Sequence, residues 1–87
     1  MIASPRKWPE WWDWELELTP HVLKRMLDRQ FNEVDLRSML SSASGYAAQS
    51  EGRFVVFTRH DGREWHVIVE PDVIDRVLVV ITAYPCD

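Results

Sequence analysis

The sequence is short of cysteine: its 87 residues include only one, Cys86, next to the last position. A lone thiol closes no internal disulfide, so nothing suggests a secreted, disulfide-stapled scaffold, and a cytoplasmic protein is expected. Long apolar runs are also missing. Met1 to Glu10 carries no hydrophobic stretch of the signal-peptide kind, and nowhere do about 18 apolar residues follow one another, as a membrane span requires. Basic residues are outnumbered, with 10 Lys and Arg against 14 Asp and Glu and a formal net charge of −4. That balance disfavours broad, non-specific nucleic-acid binding through phosphate neutralisation but leaves room for a local basic site. Internal repeats and low-complexity tracts are absent. His21, His60, His66, Asp61 and Glu64 show no tight ligand spacing, so neither a metal nor another cofactor is expected.

What is present is a periodic, 46% hydrophobic chain of a length suited to one small core. An irregular arm is expected over residues 1–10, where Pro5, Arg6, Lys7 and Pro9 cluster, followed by a single domain over residues 11–87. Trp11 to Leu18 alternates, with Trp12, Trp14, Leu16 and Leu18 on one side and Trp11, Asp13, Glu15 and Glu17 on the other. This pattern predicts a half-buried edge strand whose outward acids discourage further pairing. The indoles read as a plug for one end of the core, or, for Trp8 and Trp11 off the core side, as a stacking or partner surface.

Thr19-Pro20 signals a helix start, with Thr19 as the N-cap and Pro20 where its missing N–H costs nothing. Val22, Leu23, Met26, Leu27 and Phe31 would be the apolar stripe, with His21, Arg25 and Arg29 on a neighbouring polar strip. His21 sits in the first turn, where free N–H groups can meet an anion. Asn32 and Asp35 have capping-box spacing for a second helix, buried through Leu36, Met39, Leu40 and Ala43. Gly45 to Gly52 reads as a mobile connection.

Three strands then follow: Arg53 to Arg59, Arg63 to Glu70, and Arg76 to Tyr84. Asp61-Gly62 signals a type I′ turn and sets the register Phe57 opposite His66, Thr58 opposite Trp65 and Arg59 opposite Glu64. Phe54, Val56, Thr58, Trp65, Val67 and Val69 then share a core face, joined by Val77, Val79, Ile81 and Ala83. The opposite face gathers Arg59, Glu64, His66, Thr82 and Tyr84 at one end. Such a set can do phosphodiester chemistry, with an imidazole as base toward a 2′-hydroxyl, a guanidinium on the phosphate and a hydroxyl orienting it. It can equally be inert, with Arg59 and Glu64 an ordinary cross-strand charge pair and His66 a filler beside Phe57.

The pattern LTPHVLKRMLDRQFNEVDLRSML, then GRFVVFTRHDGREWHVIVEPD and closing VLVVITAYP, resembles the small domains grouped with the RelE/ParE and BrnT toxins, within the wider barnase, EndoU, colicin and RelE-like nuclease superfamily. It covers Trp14 to Pro85. The resemblance implies a RelE-like α+β fold of order β-α-α-β-β-β, with two helices on one face of a four-stranded, mainly antiparallel sheet. It implies a metal-independent endoribonuclease of toxin–antitoxin type, with His21, Arg25, Arg59, His66, Thr82 and Tyr84 as the site. An RNA substrate and an antitoxin partner or homodimer go with that reading. The alternative is a non-catalytic interaction or dimerisation module of the same fold, to which the acidity and the tryptophans lend weight.

Overall fold

The computed structural model describes residues 8–86. A turn of 3-10 helix (Glu10–Asp13) leads into β1 (Glu15–Leu18), α1 (Pro20–Arg29), α2 (Glu33–Ser41), β2 (Gly45–Ala48), β3 (Phe54–His60), β4 (Arg63–Asp72) and β5 (Val77–Pro85). The strands form one sheet in the order β1-β5-β4-β3-β2. β1 runs parallel to β5, and the other neighbours are antiparallel. The fold is α+β, but its sheet is five-stranded and mixed, not the expected four-stranded and mainly antiparallel one. The difference arises at Gly45–Ala48, expected as a connection. Ala47 and Ala48 are exposed there, so no alternation marks a strand. Backbone pairing with Phe54–Phe57 makes it one, helped by the Tyr46 ring against Trp11 at 5.7 Å. Of the arm expected over residues 1–10, residues 1–7 lie outside the described residues.

The β3–β4 hairpin has the register its turn sequence implies, with Phe57 opposite His66, Thr58 opposite Trp65, Arg59 opposite Glu64 and His60 opposite Arg63. Asp61 and Gly62 take φ of 56° and 79°, the left-handed values a type I′ turn demands of both central residues. Both helix starts also follow their signals. Thr19 accepts from the Val22 N–H at 3.1 Å, and Asn32 and Asp35 close a reciprocal capping box. α1 stops where Gln30 turns left-handed at φ 58°, so Phe31 is buried from the interhelix link and not from the helix stripe. The stripe is narrower than expected, because Leu23 and Leu27 are 47% and 82% exposed.

β5 departs from the expected alternation. Ile68 pairs with Thr82, yet Val69 pairs with Val80, so Ile81 is an extra residue in β5 at this point. A bulge of this kind switches which residues of a strand face the core. Leu78 and Val80 are therefore buried at 1% and 0% exposure while Val77, Val79 and Ile81 stay half-buried. Beyond the bulge Ala83 returns to the core, and Thr82 and Tyr84 return to the other face. The bulge is where α1 attaches: the Thr19 hydroxyl lies 2.9 Å from the Val80 carbonyl and 3.1 Å from that of Ile81, and the Thr19 N–H donates to Val80.

The core lies between the helices and one sheet face, and joins Val22, Phe31, Leu36 and Met39 to Val56, Trp65, Val67, Val69, Leu78, Val80 and Ala83. Each valine buried here stabilises the fold by roughly 1.5–3 kcal/mol. The tryptophans are arranged opposite to the strand expectation. Because residues 10–13 form a 3-10 turn, Trp11 is buried, while Trp12 and Trp14 are only half-buried. Trp8 stacks on Trp12 with ring centroids 4.3 Å apart. Arg76, from the β4–β5 turn, lies over Trp14 at 5.1 Å and reaches Glu10 at 3.4 Å, which pins this aromatic end to the sheet.

Candidate functional site

The helices cover one face of the sheet and leave the other open. His66, on β4, stands on the open face between Phe57 of β3 and Tyr84 of β5, its partners across the two ladders. Both aromatic rings meet its imidazole edge to face, at 5.1 and 5.6 Å. The Tyr84 hydroxyl oxygen lies 3.5 Å from His66 Nδ1. A histidine held this way keeps a fixed ring orientation, the first requirement of a general base.

β2 is short, and its pairing with β3 ends at Gly45 opposite Phe57. Beyond that point the β3 edge borders a cleft of about 300 Å³, lined by Ser42, Ser44, Phe57, Thr58, Arg59, Glu64, Trp65 and His66. The chain arrives there because the Thr58 hydroxyl donates to the Met39 carbonyl, fastening the end of α2 to β3. Arg59 and Glu64 are cross-strand neighbours, yet they form no ion pair. The Arg59 guanidinium donates instead to the Gly62 carbonyl of its own turn, at 3.0 Å. The cross-strand charge pair of the inert reading is therefore not formed, and neither Arg59 nor Glu64 has an ion-pair partner among the described residues.

The six residues expected at the site divide into groups. Arg59 and His66 share the cleft, with Tyr84 against His66. Thr82 is on the same open face but farther along β5, opposite Ile68. His21 is exposed and Arg25 half-buried on α1, whose Val22 packs into the core on the other side of the sheet. No hydrogen bond or ion pair among the described residues joins His21 or Arg25 to the other four. Glu64, Ser42 and Ser44 also line the cleft, and none of the three is among the six expected site residues. Trp65 is buried in the core as its strand register predicts, and it also borders the cleft.

A second, more open groove of about 230 Å³ lies between the aromatic end and α2, lined by residues that include Trp12, Asp13, Trp14 and Arg37. Arg37 is held by Glu33 at 2.9 Å. Among the described residues no cluster of His, Cys, Asp or Glu could hold a metal ion, and no helix is long and apolar enough to cross a membrane.

No curated protein and no solved structure matches the chain. A domain family of unknown function, DUF4258, matches residues 18–85. That span runs from the end of β1 through both helices to the last residue of β5 and contains every residue of the cleft, and the chain belongs to this family.

Proposed function

We propose that the chain is a metal-independent endoribonuclease whose site is the cleft at the β3–β4 hairpin. The observation that carries this reading is the grouping of His66, Arg59 and Glu64 along one cleft, with Arg59 free of any carboxylate among the described residues. His66 removes the proton of a ribose 2′-hydroxyl, whose oxygen attacks the adjacent phosphorus. The bond to the 5′-oxygen breaks, and that oxygen takes a proton from water, leaving a 2′,3′-cyclic phosphate and a 5′-hydroxyl. Arg59 offers its planar guanidinium to the charge that builds on the phosphate. Tyr84 holds the imidazole in place. His21 and Arg25 stand outside this group, and Thr82 is too far along the face to be given a step. A toxin–antitoxin role goes with the reading as its biological setting.

Incubating the protein with labelled RNA in EDTA tests the proposal. Cleavage lost in His66→Ala and Arg59→Ala but kept in His21→Ala supports it. Equal cleavage by wild type and His66→Ala removes its basis.

One observation favours a second reading, a non-catalytic interaction or dimerisation module. The open sheet face carries half-buried Phe57 and Val79 beside Val55 and Ile68, which are only 8% and 7% exposed, with no helix over them. An inert protein that elutes as a dimer, with amide exchange slowed on these strands relative to a monomeric variant, would make this the leading interpretation.

A further inference from the structure

The aromatic groups of the open face stand in one row. Phe57, His66 and Tyr84 are direct neighbours across β3, β4 and β5, and strand alternation turns all three to the same side of the sheet. His66 lies between the other two rings. Phe57 and Tyr84 are both half-buried, and among the described residues no ring other than His66 packs on either. Both ends of the row are uncovered. On the β2 side the residue opposite Phe57 is Gly45, which has no side chain to lay over the ring. On the other side β1 stops pairing with β5 at Val80, short of Tyr84.

An aromatic ring open at the surface takes a nucleobase by stacking, whatever the base, because every base has a π face. Phe57 and Tyr84 are two strand spacings apart, about 10 Å. Bases stacked in a duplex are about 3.4 Å apart, so two neighbouring bases reach both rings only in a strand whose stack has opened. The phosphate joining two such nucleotides then lies over His66, with Arg59 two residues beyond Phe57 on the same face of β3. We propose that this row is a platform for two unstacked nucleotides of single-stranded RNA, with one base on Phe57, the other on Tyr84 and the scissile phosphate between them. The charge pattern keeps the footprint short. Leu16 and Leu18 pack toward the core, which turns the exposed Glu15 and Glu17 to the open face beside Val77 and Val79, and these acids repel a strand that continues that way. An opened stack also frees the sugar and phosphate to bring the 2′-hydroxyl in line with the leaving 5′-oxygen, a near-attack geometry that a helical strand does not offer. The inference rests on the ribonuclease reading of His66 and Arg59 and adds the class of substrate, RNA that is single-stranded at the cut and held by stacking rather than by base identity.

The test is an NMR titration of protein with 13C-labelled aromatic rings, using a short single-stranded DNA of non-self-complementary sequence, which has no 2′-hydroxyl and so is not cut. The ring resonances of Phe57 and Tyr84 should both move upfield, as protons do beneath a stacked base, and the same DNA annealed to its complement should move neither. Phe57→Leu should weaken binding by about tenfold, a loss in the range for one stacked base. Tyr84→Phe keeps the ring and should bind within about twofold of wild type, whereas Tyr84→Leu should weaken binding as Phe57→Leu does. If a leucine variant fails to fold, the ring shifts of the wild type decide. One bound phosphate predicts a slope of about −0.7 in log K against log salt. Unmoved rings, equal shifts with the duplex, or a slope of about −2 or steeper would overturn the proposal. Upfield shifts with single strands but no cleavage of RNA would uphold the platform and remove the nuclease. Cleavage of RNA that depends on His66, with both rings unmoved, would do the reverse.

Discussion

Thr19→Ala is the substitution whose effect can be worked most fully from contacts. Thr19 caps α1 by accepting from the Val22 N–H at 3.1 Å, and its hydroxyl proton serves the carbonyls of Val80 and Ile81 at 2.9 and 3.1 Å. Loss of a threonine N-cap costs about 1 kcal/mol. Loss of the hydroxyl donor to β5, in a partly buried setting, costs about 1 kcal/mol more. Together these give about 2 kcal/mol, which for a domain of this size lowers Tm by about 8–16 °C. Urea unfolding followed by circular dichroism measures it directly. Thr19→Ser keeps both interactions and should lie within about 0.5 kcal/mol of wild type, since it loses only a methyl group. A Thr19→Ala protein within about 0.5 kcal/mol of wild type would show that the bulge and the helix start are not coupled through this hydroxyl. A serine variant as unstable as the alanine one would show that the methyl group, and not the hydrogen bonds, holds the joint.

Other positions give independent checks. Gly62→Ala places a side chain at φ 79° and should cost about 1 kcal/mol or more in chemical denaturation. Gly52→Ala, at φ 79° in the exposed β2–β3 turn, should cost a similar amount, so a large difference between the two would identify hairpin-specific strain. Asn32→Ala removes the capping box and should destabilise by about 1 kcal/mol, with amide exchange quickening first in α2. Val80→Ala, in a residue fully buried under α1, should cost about 2–3 kcal/mol by calorimetry. Tyr84→Phe removes only the hydroxyl beside His66. It should leave stability within about 0.5 kcal/mol while slowing RNA cleavage.

The parts of the fold legible in the sequence are those fixed by short-range chemistry. Asp61-Gly62 sets a turn type, the turn type sets the pairing, and the whole β3–β4 ladder follows. Thr19-Pro20 and Asn32 with Asp35 mark helix starts through side-chain reach alone. What escaped depended on distant partners. Gly45–Ala48 has no strand pattern of its own and becomes β2 only because β3 offers an edge. The Ile81 bulge arises where Thr19 meets β5 from 62 residues away in the chain, and no local signal in VLVVITAY reports it. Trp11 to Trp14 alternates like a strand but turns as a 3-10 helix, which exchanges the buried and half-buried indoles. Within the candidate site, the placement of His66, Arg59 and Tyr84 at one end of one face follows from strand register. Register shows that Arg59 and Glu64 face each other but not that the Arg59 guanidinium turns to Gly62.

The most direct test of the central claim is single-turnover cleavage, in EDTA, of a strand carrying one ribonucleotide among 2′-deoxy residues and of the same strand made entirely of 2′-deoxy residues. The wild type should cut the first, leave a 2′,3′-cyclic phosphate and spare the second, and His66→Ala should cut neither. Cleavage of the deoxy substrate, or undiminished cleavage by folded His66→Ala, would contradict a site in which His66 activates a ribose hydroxyl.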